Sequence, residues 1–272
     1  MEEVLSDSPS GRRIVRLGDT VRRPVYPWSP TIHRLLAHLE AVGFERSPRF
    51  LGIDEQGREV LSYLEGTSGG DGVRDSPARG ADVWAMVVPP KGLRAFAELI
   101  RDYHEAVSGF RLLDATWSSG EQMAEGQIVC HGDAAPWNVV WRDDKLVGLI
   151  DFDHARPGAP IDDVAYALRY IAPFYDDDEC LRWLRFQDPP NRRERIRTFV
   201  RAYGLDDKND WLAHGLRMMH RTREVCVGLA DRGIQPQADW VSRGWLQRDR
   251  LEEQWVVEHF AAMPDVANDA RD

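Results

Sequence analysis

Short apolar runs in the first 65 residues predict strands grouped around one amphipathic helix. A Gly-Asp pair between runs of β-branched residues is typical of a hairpin, and the turn-forming sequence DEQG separates a second pair of runs. Ser29 stands just ahead of the helical pattern, where a serine commonly caps a helix. The predicted strands are two within residues 13–24 and one each at 49–53 and 58–64, and the predicted helix covers 31–42. This region therefore predicts the order β-β-α-β-β.

Helical periodicity dominates the rest of the chain, after a connection rich in Gly, Ser, Asp and Pro at residues 66–80. That composition disfavours regular structure, and the segment lacks the GK[ST] ending of a phosphate-binding P-loop. The predicted helices are 93–107, 161–171, 191–203, 210–231 and 238–262, and the predicted strands are 128–130, 139–141 and 146–150. The pattern predicts an α+β fold with a small β-rich lobe, residues 1–65, before a larger helical lobe, residues 66–272.

Composition favours a folded protein and argues against a nucleic-acid partner. The apolar fraction is 43% and the chain has 10 tryptophans, so it can bury enough apolar surface to offset the entropy of ordering its backbone. With a formal net charge of −10, it lacks the cationic surface that gives affinity for phosphate backbones. An acidic surface suits capture of a cationic small molecule, and solubility alone also accounts for such a charge.

Cysteine spacing and hydropathy lead us to expect a cytoplasmic protein. The three cysteines lie far apart, without the close pairs typical of a zinc site, and are expected to be reduced. The N-terminal segment starts acidic and has no apolar signal region. No later run approaches the roughly 18 apolar residues that a membrane span requires, so no membrane partner is expected.

Three oxygen-bearing side chains lie at fixed offsets beside short predicted strands. Asp133 and Asn138 belong to the segment 131–138, HGDAAPWN, and Asp151 opens DFD at the end of another apolar run. Phosphoryl transfer needs a carboxylate that orients the attacking hydroxyl and oxygen ligands that hold Mg²⁺ on the phosphates. Carboxylate and amide oxygens are ligands that Mg²⁺ prefers. Loops between short strands would bring all three side chains to one edge of the larger lobe.

The pattern HGDxxxxN followed by IDFD resembles the catalytic loop and metal loop of aminoglycoside phosphotransferases and choline kinases, relatives of the protein kinases. The resemblance implies a bilobal protein kinase-like fold. It also implies transfer of the γ-phosphoryl group of ATP or GTP, with Mg²⁺, to a hydroxyl of an aminoglycoside or similar small molecule. By the same resemblance, Asp133 is the catalytic base or orienting carboxylate and His131 braces the catalytic loop. Asn138 and Asp151 are then the metal ligands.

Two neighbouring features fit this resemblance. This chain has the sequence DDVA at residues 162–165. At the corresponding place the family often has an Asp-x-Ala motif that braces the catalytic loop. An acidic first turn is also favoured by the helix dipole alone. Asp153 is either an acid that supports the metal ligands or an ordinary loop residue.

The smaller lobe departs from the family pattern. The family places a lysine on the third strand against the nucleotide phosphates, but no lysine precedes Lys91 in this chain. Strand alternation puts Val21 and Arg23 on one face, so Arg23 is the expected substitute and Arg22 the second choice. Arginine can bind a phosphate through two nitrogens.

The family's other nucleotide-binding features are matched only in part. Its lysine pairs with a glutamate on the following helix, where the nearest candidates here are His33 and Glu40. The segment SYLEG, which contains Tyr63 and Leu64, resembles the hinge whose backbone binds the adenine, and is otherwise the end of a strand.

Other hypotheses remain open at this point. The absent lysine and glutamate favour a catalytically weak or inactive binding protein, and the PWN catalytic loop with a short first lobe resembles trifolitoxin immunity proteins. A metal-dependent hydrolase using the same carboxylates is a third hypothesis. The acidic run 176–179 either attracts an amine-bearing substrate or is a solvated turn. The acceptor, the choice of ATP or GTP and the oligomeric state stay open.

Overall fold

The N-terminal part of the chain forms an antiparallel sheet with a helix beside it. The computed structural model describes residues 2–7, 13–69, 81–112, 114–206 and 209–260. The elements are β1 (Glu2–Asp7), β2 (Arg13–Leu17), β3 (Thr20–Arg23), α1 (Ser29–Ala41), β4 (Phe50–Ile53) and β5 (Glu59–Ser62). Within these residues the strand order is β1-β2-β3-β5-β4. Both predicted hairpins and the helix are confirmed, and β1 is an additional strand paired with β2.

The register of this sheet sets two charged residues side by side. β3 pairs with β5 so that Arg23 lies opposite Glu59. Residues directly opposite each other in an antiparallel pair have Cβ atoms about 4.5–5.5 Å apart, within reach of an ion pair. Arg23 is 6% exposed and Glu59 is 0% exposed, so the sheet buries two charges that compensate each other.

Helix α1 buries the apolar face that its spacing predicted, but its cap differs from the prediction. The helix starts at Ser29 and its capping position is Trp28, so the expected capping role of Ser29 is wrong. The Ser29 Oγ instead accepts a hydrogen bond from the Tyr26 amide at 2.9 Å and closes the turn before the helix. The buried apolar residues are Ile32, Leu35, Leu36 and Leu39.

Helices make up most of the remaining described chain, with four short strands between them. The helices are α2 (Ala81–Val87), α3 (Pro90–Val107), α4 (Pro160–Ile171), α5 (Asp177–Trp183), α6 (Arg192–Tyr203), α7 (Trp211–Asp231), α8 (Gln237–Ser242) and α9 (Trp245–His259). The strands are β6 (Ile128–Cys130), β7 (Val139–Arg142), β8 (Lys145–Leu149) and β9 (Arg156–Gly158). β6 pairs with β9, and β7 pairs with β8. Among the described residues, no helix has the length and apolar character that crossing a bilayer demands.

Several predicted boundaries change in this part. The helix predicted at 238–262 is two helices, α8 and α9, because Gly244 between them adopts φ +85°, a left-handed conformation that ends a helix. Its last two predicted residues lie outside the described chain. The acidic run 176–179 begins α5, where Asp176 caps the helix by accepting a hydrogen bond from the Glu179 amide at 2.8 Å. Helices α2 and α5 and strand β9 were not predicted.

The predicted connecting loop is described only at its start. The Thr67 amide donates to the Trp141 carbonyl at 2.6 Å, and the Trp141 amide donates back to Thr67 at 2.8 Å. The start of the connection is therefore fixed on β7. Residues 70–80 of that prediction lie outside the described chain.

A buried carboxylate holds the segment that follows β6. The Asp163 carboxylate accepts hydrogen bonds from the amides of His131 at 2.6 Å and Gly132 at 2.9 Å. His104 on α3 lies 3.0 Å from the same carboxylate. Burial alone would raise the pKa of Asp163, but the bonds from His104 and from the Gly132 amide lower it to about 2. Helices α3 and α4 thereby fix the backbone that carries Asp133.

Two glycines of α7 provide a matched test of packing. A Cβ at Gly215 would overlap the ring of Phe174, which is buried and packs on Phe260, whereas a Cβ at Gly228 meets no atom within 4 Å. Gly215→Ala should lower the free energy of unfolding by about 1–3 kcal/mol through overpacking. Gly228→Ala should raise it by about 0.5–1 kcal/mol through helix propensity. Urea unfolding measures both, and equal effects would contradict the packing of α7 on Phe174.

The depressed pKa of Asp163 predicts a specific acid sensitivity. Its folded pKa of about 2 lies below the ordinary value of an aspartate, so the stability it contributes is complete above about pH 4. That contribution, about 2 kcal/mol, is lost as the pH falls from 4 towards 2. Asp163→Asn should remove this part of the acid-induced loss in urea unfolding measured between pH 5 and 2. The exposed control Asp188→Asn should keep the wild-type slope, and an unchanged slope in Asp163→Asn would contradict the assignment.

Candidate active site

Asp133 and Asn138 are joined within one short loop between β6 and β7. A 3₁₀ turn at Pro136–Asn138 folds the loop back, so that Asn138 Nδ2 donates to Asp133 Oδ2 at 2.7 Å. The same nitrogen donates to the Asp133 carbonyl at 2.9 Å. These contacts use the amide nitrogen of Asn138, so its amide oxygen is the atom that could serve as a metal ligand.

Asp151 is brought to this loop by a backbone hydrogen bond. The Ile150 amide donates to the Asn138 carbonyl at 2.8 Å, which sets the residue after β8 against the 3₁₀ turn. Asp151 itself adopts φ +63°, a left-handed conformation that aspartate tolerates better than most residues. The three side chains predicted from their offsets, Asp133, Asn138 and Asp151, therefore lie at one place in the fold.

The guanidinium of Arg23 bonds to carboxylates from two parts of the chain. Arg23 Nη1 lies 2.9 Å from Asp151 Oδ1, and Nη2 lies 3.0 Å from Asp153 Oδ1. Arg23 Nε donates to Glu59 Oε1. Burial would lower the pKa of Arg23, but the charges of Asp153, Glu59 and Asp151 outweigh it and raise that pKa. Arg23 thus stays charged and ties β3 to the loop that carries Asp151.

The surroundings of Arg23 concentrate negative charge beside Asp151. Its guanidinium and the three carboxylates together carry a formal charge of −2. His33 Nε2 lies 2.6 Å from Glu59 Oε2, and its ring stacks on Phe50 at 3.6 Å between centroids. His33 was a candidate for the missing partner of the third-strand cation, and it reaches that cation through Glu59. Such a concentration of carboxylates suits a divalent cation.

His131 is held as a neutral support for the loop. Its Nε2 donates to the Ile150 carbonyl at 3.0 Å, and its Nδ1 accepts from the Asp133 amide at 3.3 Å. The ring is 1% exposed, and burial lowers its pKa. These contacts brace the two loops against each other and leave the imidazole neutral.

Gly132, the glycine of the HGD segment, lies so close to the backbone at His154 that no side chain fits there. Gly132 has φ +78°, a conformation that disfavours residues with a side chain. A Cβ at this position would also overlap the His154 carbonyl oxygen and crowd the Arg156 guanidinium. Only glycine therefore lets the loop between β6 and β7 pack against the segment leading to β9.

Tyr166 on α4 is a site residue that the sequence analysis missed. Its hydroxyl donates to Asp133 Oδ1 at 2.5 Å, and the side chain is 5% exposed. Burial and the nearby charge of Asp133 raise the pKa of Tyr166 well above its ordinary value, so the phenol remains a donor. Its position one residue beyond the DDVA step offered the only sequence signal.

The other residues predicted for nucleotide binding contact other parts of the chain. Arg22 Nη1 donates to Thr20 Oγ1 at 2.5 Å, and its Nε lies 3.6 Å from Asp54 Oδ2. The Tyr63 amide donates to the Asp19 carbonyl at 2.8 Å. Leu64 lies against Gly148 of β8, where its side chain would contact an added Cβ. The segment from Tyr63 to Leu64 thus runs between the sheet and the hairpin of β7 and β8.

Comparison with known proteins identifies relatives of this chain. The model of the phosphotransferase enzyme family matches residues 90–203, which include both site loops. A trifolitoxin immunity protein from Rhizobium leguminosarum bv. trifolii is 34% identical over 201 residues, covering 72% of this chain and 71% of that protein.

Solved structures share the fold at low sequence identity. A GDP complex of an aminoglycoside 2'-phosphotransferase-IIIa mutant has a TM-score of 0.57 at 17% identity, covering 96% of this chain and 93% of its own. Amicoumacin kinase in complex with AMP-PNP, Ca²⁺ and Ami has a TM-score of 0.58 at 12% identity, and the match covers 95% of this chain and 88% of the kinase. The gentamicin complex of APH(2")-IIa has a TM-score of 0.55 at 13% identity, covering 93% and 91%.

The predicted fold class is confirmed by these structures. A small antiparallel sheet precedes a larger helical part, as in the kinase-like proteins that match nearly the full chain. The family model covers both site loops, and the 34% identical relative covers 72% of the chain. The chain belongs to the phosphotransferase enzyme family, as its HGDxxxxN and IDFD segments suggested.

Proposed function

We propose that this protein transfers the γ-phosphoryl group of ATP or GTP, bound with Mg²⁺, to a hydroxyl group of a small molecule. The observation that carries the proposal is the convergence of three groups. The Asp133 carboxylate bonds to Asn138, and Asn138 is joined to the strand end that carries Asp151. A carboxylate base beside two oxygen ligands is the arrangement that phosphoryl transfer requires.

In this proposal Asp133 orients the acceptor hydroxyl and takes up its proton. Its carboxylate is held by hydrogen bonds from Asn138 and Tyr166, so it meets the acceptor in one orientation. A fixed base of this kind lowers the barrier mainly by positioning, because the transfer needs little covalent chemistry from the protein. His131 keeps the loop in place as a neutral imidazole and takes no part in the proton transfer.

The residues present fit a magnesium ion. The amide oxygen of Asn138 and the carboxylate of Asp151 are oxygen donors from adjoining loops, set in a region of concentrated negative charge. When bound, Mg²⁺ would neutralise charge on the transferring phosphoryl group. Asp153 supports this site by bonding to Arg23.

Arg23 is proposed to serve both the metal loop and the nucleotide. A guanidinium has five N–H donors, and the contacts with Glu59, Asp151 and Asp153 use four hydrogen bonds. The fifth N–H of Arg23 is the one proposed to bind a nucleotide phosphate. Arg22, directed to Asp54, is a second candidate on the same strand.

We also propose that the nucleotide binds between a lobe of residues 1–65 and a lobe of residues 66–272. The backbone of Tyr63 and Leu64 would face the base, because this segment joins the sheet to the larger part of the chain. The acidic surface favours an acceptor that carries a positive charge. Aminoglycosides, macrolides, choline, sugars and homoserine form the acceptor panel.

A second candidate function is a kinase-like binding or immunity protein with little turnover. It is favoured by the 34% identical trifolitoxin immunity protein and by the ion pairs that hold Asp151 on Arg23. The two candidates differ in whether phosphate is transferred to an acceptor.

Loss of the proposed base should abolish transfer. Asp133→Asn keeps the side-chain size but removes the charge that accepts the proton, so turnover should fall by about 10³-fold or more. Transfer from labelled ATP to the acceptor panel measures this, with circular dichroism as the check on folding. The surface variant Asp188→Asn should retain wild-type turnover. Wild-type activity in a folded Asp133→Asn protein would refute the assigned role.

Mg²⁺ and ATP together should stabilise the wild-type protein against heat. At 100 times the dissociation constant, a ligand that binds only the folded state adds about 2.7 kcal/mol, which for a chain of this size raises Tm by about 5–10 °C. Asp151→Asn should largely remove the Mg²⁺-dependent part of the shift. The absence of any shift in the wild type would contradict nucleotide binding, and a shift without acceptor phosphorylation would favour the immunity-type candidate.

A further inference from the structure

The carboxylate of Asp133 is held by a side chain that the proposed reaction does not otherwise use. The Tyr166 hydroxyl donates to Asp133 Oδ1 at 2.5 Å, and Asn138 Nδ2 donates to Oδ2 at 2.7 Å. Each oxygen of the carboxylate therefore has one fixed donor. Rotation of the carboxylate about its bond to Cβ would break both hydrogen bonds together.

This arrangement leaves a defined direction for an incoming hydroxyl. A carboxylate oxygen carries two lone pairs, and Tyr166 occupies one of those on Oδ1. The second lone pair of Oδ1 is therefore adjacent to the Tyr166 hydroxyl. An acceptor hydroxyl that donates to Oδ1 must then approach beside the Tyr166 side chain.

Tyr166 is itself firmly placed. It follows Asp163 on α4, and Asp163 bonds to the backbone of the loop that carries Asp133. The Tyr166 ring lies 5.4 Å from the ring of Tyr170 one turn later, with the planes near an edge-to-face angle. It also belongs to a buried cluster with Met218 of α7. Because α4 is bonded to the loop through Asp163, the Tyr166 hydroxyl keeps a fixed position relative to the Asp133 carboxylate.

We propose that Tyr166 is a positioning residue for the acceptor, which fixes Oδ1 of Asp133 so that this oxygen receives the acceptor hydroxyl in one orientation. The inference rests on the proposed phosphotransferase function. It extends that function by assigning an acceptor-side role to a residue of α4, outside both site loops. Because the Tyr166 hydroxyl bonds to Asp133, whereas the proposed metal ligands are Asn138 and Asp151, the role concerns turnover and not the binding of Mg²⁺ and nucleotide.

Tyr166→Phe removes the hydroxyl and keeps the ring. The measured reaction is phosphate release from Mg²⁺ and ATP with water as the acceptor, which needs no knowledge of the natural substrate. Loss of one hydrogen bond to a charged group should lower kcat about tenfold, while the KM for ATP stays within about twofold. Tyr26→Phe is the matched control, since the Tyr26 hydroxyl contacts the Gln235 carbonyl at 3.4 Å, just ahead of α8, and has no role in the proposed reaction. It should leave both constants unchanged.

Other results separate failure of this inference from failure of the proposed function. If neither phosphate release nor transfer to the acceptor panel by the wild type exceeds that of Asp133→Ala, the proposed function fails, and the role of Tyr166 fails with it. If the wild type is active and Tyr166→Phe has the same kcat, only the positioning role is overturned. A raised KM with unchanged kcat would also overturn it, because that outcome assigns Tyr166 to nucleotide binding. A crystal structure of Tyr166→Phe should show the Asp133 carboxylate turned from its wild-type orientation, and an unmoved carboxylate would contradict the inference.

Discussion

Arg23 joins the small sheet to the loop that carries the proposed metal ligand. Its guanidinium is buried and bonded to Glu59 across the sheet and to Asp151 and Asp153 on the loop after β8. Taking such ions out of water costs several kcal/mol each, and this cost is offset only while all partners are in place. The four side chains therefore act as a unit. The position of the sheet and the position of Asp151 are set by the same interactions.

The loop with Asp133 is fixed from the opposite side. Asp163 accepts hydrogen bonds from the amides of His131 and Gly132, and Tyr166 of the same helix reaches the Asp133 carboxylate. The charged cluster of the sheet and the first turns of α4 thus hold the two site loops between them. Fixed donors and carboxylates of this kind need little reorganisation when a substrate binds, which is the usual source of catalytic power in phosphoryl transfer.

Local sequence patterns predicted most of the elements and the place where the candidate site residues meet. The two hairpins, α1 and α3 follow from apolar spacing, and the convergence of Asp133 and Asn138 with Asp151 follows from loops placed between short strands. The pairing of Glu59 with Arg23 was missed because it depends on the register between β3 and β5, which joins segments 36 residues apart. Glu59, a strand residue, is the partner of Arg23, whereas the family pattern led us to expect that partner on the following helix.

Tertiary placement explains the remaining differences. Tyr166 was missed because helical spacing does not reveal that one face of α4 meets the Asp133 carboxylate. The cap expected at Ser29 was wrong because that hydroxyl bonds backward to the turn at Tyr26. The single helix expected at 238–262 was wrong because Gly244 takes a left-handed conformation that apolar periodicity does not encode.

The most direct test of this account is a crystal structure of the protein with Mg²⁺ and AMP-PNP. We predict a metal ion in contact with the Asn138 amide oxygen and the Asp151 carboxylate, and a γ-phosphate that faces Asp133. A nucleotide bound elsewhere, or density for the nucleotide with neither side chain on a metal ion, would contradict the assignment of this site to phosphoryl transfer.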